Sequence, residues 1–130
     1  LVVEDGPTLT HGGMPYGAGT IAAKLYKASE IIDPRPYATG TIKKIYELYP
    51  HIGSLLPAMG YSSSQIHDLE STINNTKCDM VLFATPIQLT RILSIKKPTI
   101  RVRYEYKDHG EPTLKDAPLK RLKKLCRNNE

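Results

Sequence analysis

Residues 1–19 read LVVEDGPTLTHGGMPYGAG. The apolar run Leu1-Val2-Val3 meets two carboxylates, Glu4 and Asp5, and a segment of glycine, proline, threonine and one histidine follows before helical periodicity begins at Thr20. That order predicts a strand, a long binding loop and a helix. In open α/β sheets ligands sit at the carboxyl ends of the strands, where such loops gather, and the N–H groups at a helix start favour anions. The loop is therefore the leading candidate site.

The rest of the chain repeats the pattern. Ile21, Leu25 and Ala28 recur at helical spacing, with Lys24 and Lys27 left for solvent. Glu30-Ile31-Ile32-Asp33 reads as a short apolar strand closed by Asp33-Pro34-Arg35-Pro36-Tyr37, whose prolines forbid helix. Thr39 or Thr41 can cap a second helix with Ile42, Ile45, Leu48 and Tyr49 on one face. Ile52 to Leu56 reads as a strand, and Ser62 with Gln65 fits a capping box ahead of a helix striped by Ile66, Leu69 and Ile73. Asp79 to Ala84 is a continuous apolar run, as expected of a parallel strand covered on both faces. Ile87 to Leu93 reads as a short helix. Thr99 to Lys107 alternates apolar with charged residues, which predicts an edge strand with one wet face. Asp116 can cap a last helix bearing Leu119, Leu122 and Leu125.

Strand and helix thus alternate about five times. This predicts a Rossmann-like α/β layer sandwich with a mostly parallel sheet of about five strands. Residues 1–117 would form one domain and residues 118–130 a basic helix or tail.

A chain of 130 residues can bury roughly two-thirds of its unfolded surface. With 40% hydrophobic and 24% charged residues the composition is that of a globular domain. No apolar run approaches the roughly 20 residues a membrane span needs, so no membrane partner and a cytoplasmic location are expected. Cys78 and Cys126 have neither metal-ligand nor disulfide-framework spacing. Of the net charge of +5, most lies in Lys120, Arg121, Lys123, Lys124 and Arg127, opposed there only by Glu130. A basic helix can contact nucleic acid, but leucines at spacing three are the pattern of a helix docked on a sheet, and nucleic acid is not the expected partner. The start on Leu1, inside an apolar run, suggests a fragment or a processed product.

The loops after the expected strands differ from those on the opposite edge. They hold Glu4-Asp5-Gly6-Pro7-Thr8, Asp33-Pro34-Arg35-Pro36-Tyr37, Pro57-Ala58-Met59-Gly60-Tyr61 and Ala84-Thr85-Pro86, rich in proline, hydroxyls and carboxylates. Gly12, Gly13, Gly17 and Gly19 let backbone N–H groups approach an oxyanion. Thr8 and Thr10 can donate hydroxyl bonds to phosphate, and His11, the catalytic candidate, can donate to phosphate or shuttle a proton near neutral pH. Glu4 and Asp5 can hold a hydrated magnesium ion. Arg35 can pair bidentately with phosphate, and Gly60 and Tyr61 extend the phosphate- or substrate-binding set. Against these stand ordinary alternatives. Gly17-Ala18-Gly19 matches neither the Rossmann fingerprint nor the phosphate loop, Asp5 can cap a turn, and Arg35 can form a surface salt bridge.

VVEDGPTLTHGGMPYGAGT, EIIDPRPYATGTI, YPHIGSLLPAMGYS, ATPIQLTRI and KKPTIRVRYE together resemble the C-terminal part of the archaeal cyclic 2,3-diphosphoglycerate synthetase family, also described as predicted GTPases. The resemblance covers about residues 1–115. It implies an ATP-dependent closure of 2,3-diphosphoglycerate into its cyclic anhydride, with magnesium and with potassium as a further ion. Members of that family are longer, and their phosphate loop lies upstream of the matching segment. No GKS or GKT occurs in this chain. The resemblance therefore implies one wall of an active site, inactive alone, partnered by a small phosphate substrate, a nucleotide and an upstream nucleotide-binding domain in the same or a companion chain, with a homodimer left open. The other reading is a free-standing phosphate- or nucleotide-binding regulatory module without catalysis.

Overall fold

The computed structural model describes residues 1–111, 113–116 and 118. Among the described residues four strands form one sheet: β1 (Val2–Asp5), β2 (Leu56–Ala58), β3 (Val81–Ala84) and β4 (Thr99–Arg101), in the order β2-β1-β3-β4. Every pairing is parallel, with Val3 opposite Leu56 and Phe83, and Leu82 opposite Ile100. The layered α/β fold is as expected, with four strands rather than five.

The missing strand is Glu30–Asp33. Ile31 packs against the core, but the segment pairs with no strand among the described residues. Asp33 instead turns its carboxylate onto the Arg35 amide at 3.0 Å, and a 3₁₀ turn forms over Arg35–Tyr37. The strand expected at Ile52–Leu56 lies further on, at Leu56–Ala58. The edge strand stops at Arg101, short of Lys107, and Ile87–Leu93 yields only a 3₁₀ turn over Leu89–Arg91.

The helices are α1 (Gly6–Thr10), α2 (Ala18–Leu25), α3 (Gly40–Leu48) and α4 (Ser63–Asn75). The capping box of α4 is present, with Ser62 at the N-cap and Gln65 at N3. Thr39 is the N-cap of α3, but its hydroxyl donates to the Asp68 carbonyl at 3.3 Å and makes no capping bond. Thr41 is instead held by Asp68 of α4, whose carboxylate accepts from the Thr41 amide at 2.8 Å and hydroxyl at 2.9 Å. Between Gly6 and Gly17 the expected loop contains α1, started by Asp5 at its N-cap and by Pro7 in its first turn, where a missing N–H costs nothing.

Side chains alternate across a strand. Val3, Val81 and Phe83 face one layer and join a buried cluster with Ile42, Ile45, Leu69 and Ile73 of α3 and α4. Val2, Glu4 and Ala84 face α2. That helix turns Gly19, Thr20 and Ala23 inward and leaves Ile21 and Leu25 exposed, the reverse of the expected apolar stripe. Close approach is the reason: a Cβ on Gly19 would lie 2.8 Å from Val2 Cγ1 and 2.9 Å from the Ala84 Cβ. Bulky residues cannot enter that contact, so α2 presents its small ones. The helix ends where Lys27 takes a left-handed φ of 57° and the Ala28 amide reaches back to the Ala23 carbonyl.

Thr113 and Asp116 exchange hydrogen bonds as cap residues do. The basic helix expected through Leu119, Leu122 and Leu125 lies outside the described residues.

Candidate functional site

In this strand order the chain runs from β1 outward to β2, then crosses β1 to reach β3. The loops leaving β1 and β3 therefore diverge, and the crevice between their carboxyl ends is where open α/β sheets bind ligands. A cavity of about 200 Å³ lies there, lined by Glu4, Asp5, Thr8, Leu9, Ala84 and Tyr104 among others. Glu4 and Asp5 come from the end of β1, Ala84 from the end of β3, and Thr8 and Leu9 from α1. Tyr104 arrives from the segment after β4.

Glu4 is 3% exposed. Its Oε1 accepts hydrogen bonds from the Gly17 amide at 3.1 Å, the Thr20 amide at 2.9 Å and the Thr20 hydroxyl at 3.2 Å. A carboxylate from the strand thus caps the start of α2 and complements the positive end of its dipole. The consequence for anions is direct. The amides of Gly17 and Thr20, where a phosphate would sit in a dinucleotide-binding fold, already serve Glu4. Gly17 is there because a Cβ would come within 2.6 Å of Glu4 Oε2. The glycine spacing in this loop fits packing against Glu4 and β1.

Asp5 Oδ2 accepts from the Thr8 amide at 3.2 Å and the Thr8 hydroxyl at 2.7 Å, so Asp5 and Thr8 act as a helix cap beside the cavity. The Thr10 hydroxyl donates to the Gly6 carbonyl at 3.1 Å and lies 2.9 Å from Nδ1 of His11, the exposed residue closing α1. Gly12 and Gly13 follow on the surface, Gly13 with a φ of 63°. Gly6 packs so tightly on the end of β2 that a Cβ would strike Met59 Sδ and the Ala58 carbonyl, which brings the Gly60-Tyr61 turn close to α1. Gly60 holds a φ of 67°, and Tyr61 is exposed.

Arg35 is not part of this group. Its Nη1 pairs with Asp33 at 3.0 Å and donates to the Gly53 carbonyl at 3.1 Å, while Nη2 donates to the Ile52 carbonyl. The guanidinium also stacks 4.7 Å from the centre of the Tyr46 ring. Tyr46 donates to the Leu55 carbonyl at 2.7 Å, and burial pushes its hydroxyl pKa up, so it stays protonated. Arg35 braces the segment that leads into β2.

The structure therefore brings together Glu4, Asp5 and Thr8, places Thr10, His11, Gly12 and Gly13 on the adjoining loop, and sets Arg35 apart in its own network. Tyr104 was not a sequence candidate. Its arrival depends on β4 lying beside β3, which no local pattern announces. No group of three or more His, Cys, Asp or Glu among the described residues is arranged to hold a metal. Magnesium at Glu4 and Asp5 would take most of its ligands from water or substrate. A larger open groove of about 820 Å³ runs between α2 and β4, walled by Ile21, Leu25, Leu82 and Ile100, and is mostly apolar. Among the described residues no helix is long and apolar enough to cross a membrane.

Over 117 residues the chain is 56% identical to the arginine synthetase ArcE of Thermococcus kodakarensis, a match covering 90% of this chain and 26% of that protein. It is similar to part of an archaeal synthetase. The chain spans about a quarter of the length of this curated relative. No protein-family model and no solved structure matches it.

Proposed function

We propose that this chain forms one domain of a nucleotide-driven synthetase whose product is arginine, the carboxyl edge of β1 and β3 supplying one wall of the site. The observation that carries the reading is the 56% identity sustained over 90% of the chain. Charge supports it. The crevice holds two carboxylates, suited to a cationic product. Phosphoryl transfer rests on positioning and charge neutralisation around the γ-phosphate, and this chain has no GxxxxGK[ST] loop for that task. ATP, its magnesium and any potassium accordingly bind mainly to an upstream nucleotide-binding region, and the isolated chain is inactive. His11, exposed at the end of α1 beside Gly12 and Gly13 with its Nδ1 against the Thr10 hydroxyl, is the group placed to exchange a proton or meet a phosphate.

A second reading, the closure of 2,3-diphosphoglycerate into its cyclic anhydride, draws support from the five long segments that resemble that family. In it Thr8, Thr10, Gly12, Gly13, Gly60 and Tyr61 bind the phosphates. The carboxylates weigh against it, because a multiply charged anion entering the crevice would need cations from elsewhere to offset Glu4 and Asp5.

The test is made on the complete gene product. Arginine-dependent turnover of nucleotide, run against the direction of synthesis, supports the first reading. ATP-dependent consumption of 2,3-diphosphoglycerate without any response to arginine overturns it in favour of the second.

A further inference from the structure

A cationic product needs a pocket that accepts its charge. Three features single out the cavity at the ends of β1 and β3. The first is charge: Glu4 and Asp5 both line it, and none of its described lining residues is basic. The second is an unused acceptor. Glu4 is 3% exposed, its three hydrogen bonds all go to Oε1, and Oε2 has no partner among the described residues. No fully buried side-chain nitrogen or oxygen among those residues lacks a partner, so Oε2 keeps some of the trace of exposure that Glu4 has, and Glu4 lines the cavity. The third is the rest of the lining: Leu9, Ala18 and Ala84 are apolar, Gly17 adds backbone, Thr8 has its hydroxyl turned onto Asp5, and Tyr104 adds an aromatic ring.

These features select among cations. Magnesium dehydrates reluctantly and keeps several waters in an octahedron; beside the two carboxylates, the apolar walls and the ring offer that shell few partners. A guanidinium is planar, weakly hydrated, binds carboxylates through paired N–H groups and stacks on aromatic faces. Asp5 keeps capacity for it, since its own two bonds both fall on Oδ2.

Resting on the arginine reading, we propose that the cavity between β1 and β3 is a guanidinium subsite, with Asp5 and Oε2 of Glu4 as acceptors and Tyr104 as the stacking surface. The acceptor pair fixes the plane of the group and the ring covers it.

The probe is agmatine, which carries a guanidinium without a carboxylate, titrated calorimetrically into the full chain beside arginine. Saturable binding of both is expected. Asp5→Asn keeps a good N-cap for α1 and should weaken both ligands about 10-fold, the worth of one charge-assisted pair. Tyr104→Leu should weaken them about 3-fold, and millimolar magnesium should not compete. Absence of agmatine binding, undiminished affinity in Asp5→Asn, or displacement of agmatine by magnesium overturns the subsite. Failure of the subsite differs visibly from failure of the function. A complete gene product that turns over with arginine and is indifferent to Asp5→Asn loses only the subsite, whereas Asp5-dependent agmatine binding without arginine turnover loses only the reaction.

Discussion

Replacing Glu4 with alanine removes the acceptor on which the start of α2 depends. The Thr20 amide and hydroxyl are buried and lose their partner, whereas the Gly17 amide is only partly buried and can turn to water. An unsatisfied buried donor costs about 1–3 kcal/mol, and the lost charge at the helix N-terminus adds about 0.5 kcal/mol. With the two Thr20 donors partly rehydrated in the space the side chain vacates, the total comes to about 3 kcal/mol, a large share of the roughly 5–15 kcal/mol available to a domain. Glu4→Gln keeps the accepting oxygen and gives up its charge, which roughly halves the strength of each bond and costs about 1 kcal/mol. In urea, with a slope of about 1.5 kcal/mol/M, the alanine variant should unfold about 2 M earlier than the parent and the glutamine variant about 0.7 M earlier, both followed by far-UV circular dichroism. A midpoint shift below about 0.5 M for Glu4→Ala, or a glutamine variant no better than the alanine one, would refute the capping role.

Gly19→Ala places a methyl against Val2 and Ala84 and should cost about 1–3 kcal/mol by overpacking, read as a lowered melting temperature. Arg35→Ala should lower stability by about 1–3 kcal/mol by stranding the Ile52 and Gly53 carbonyls, while agmatine affinity stays at the parent value in the same calorimetric titration. The hydrogen bonds from the Thr41 amide and hydroxyl hold the Asp68 carboxyl below its ordinary pKa. A depressed folded pKa stabilises above the unfolded value of about 4 and loses that contribution as pH falls through the folded value. Asp68→Asn should therefore be less stable than the parent at pH 7, with the gap closing below about pH 4 in urea titrations run across that range.

Much of this architecture is legible in the residues. The run Asp79–Ala84 announces a strand buried on both faces, and Ser62 with Gln65 announces the start of α4, because both signals are local and complete in themselves. The alternation of elements gives a parallel α/β sheet for the same reason. What is not legible depends on partners distant in the chain. Glu30–Asp33 has the composition of a strand, but Asp33 bonds Arg35 and no strand among the described residues receives the segment. Ile21 and Leu25 have the spacing of a buried stripe, yet the approach of α2 to β1 and β3 turns the smaller Gly19, Thr20 and Ala23 inward.

The candidate site divides along the same line. Glu4 and Asp5 stand out as carboxylates at a strand end, and that position alone places them in the crevice. Their company could not be read in advance. The glycines that suggest an oxyanion cradle are, at Gly17 and Gly19, the clearance that lets α2 close over Glu4. Arg35, a natural phosphate ligand by type, is taken up by Asp33, Tyr46 and two carbonyls. The sign of the crevice is set by which charges remain after such pairing, and pairing is tertiary.

The most direct measurement is a crystal structure of the complete gene product grown with arginine and magnesium. The account predicts planar density in the cavity at the ends of β1 and β3, bonded to Asp5 and to Glu4 Oε2 and stacked on Tyr104. An empty cavity with arginine bound elsewhere, or a compact ion there with oxygen ligands at about 2.1 Å, would contradict it.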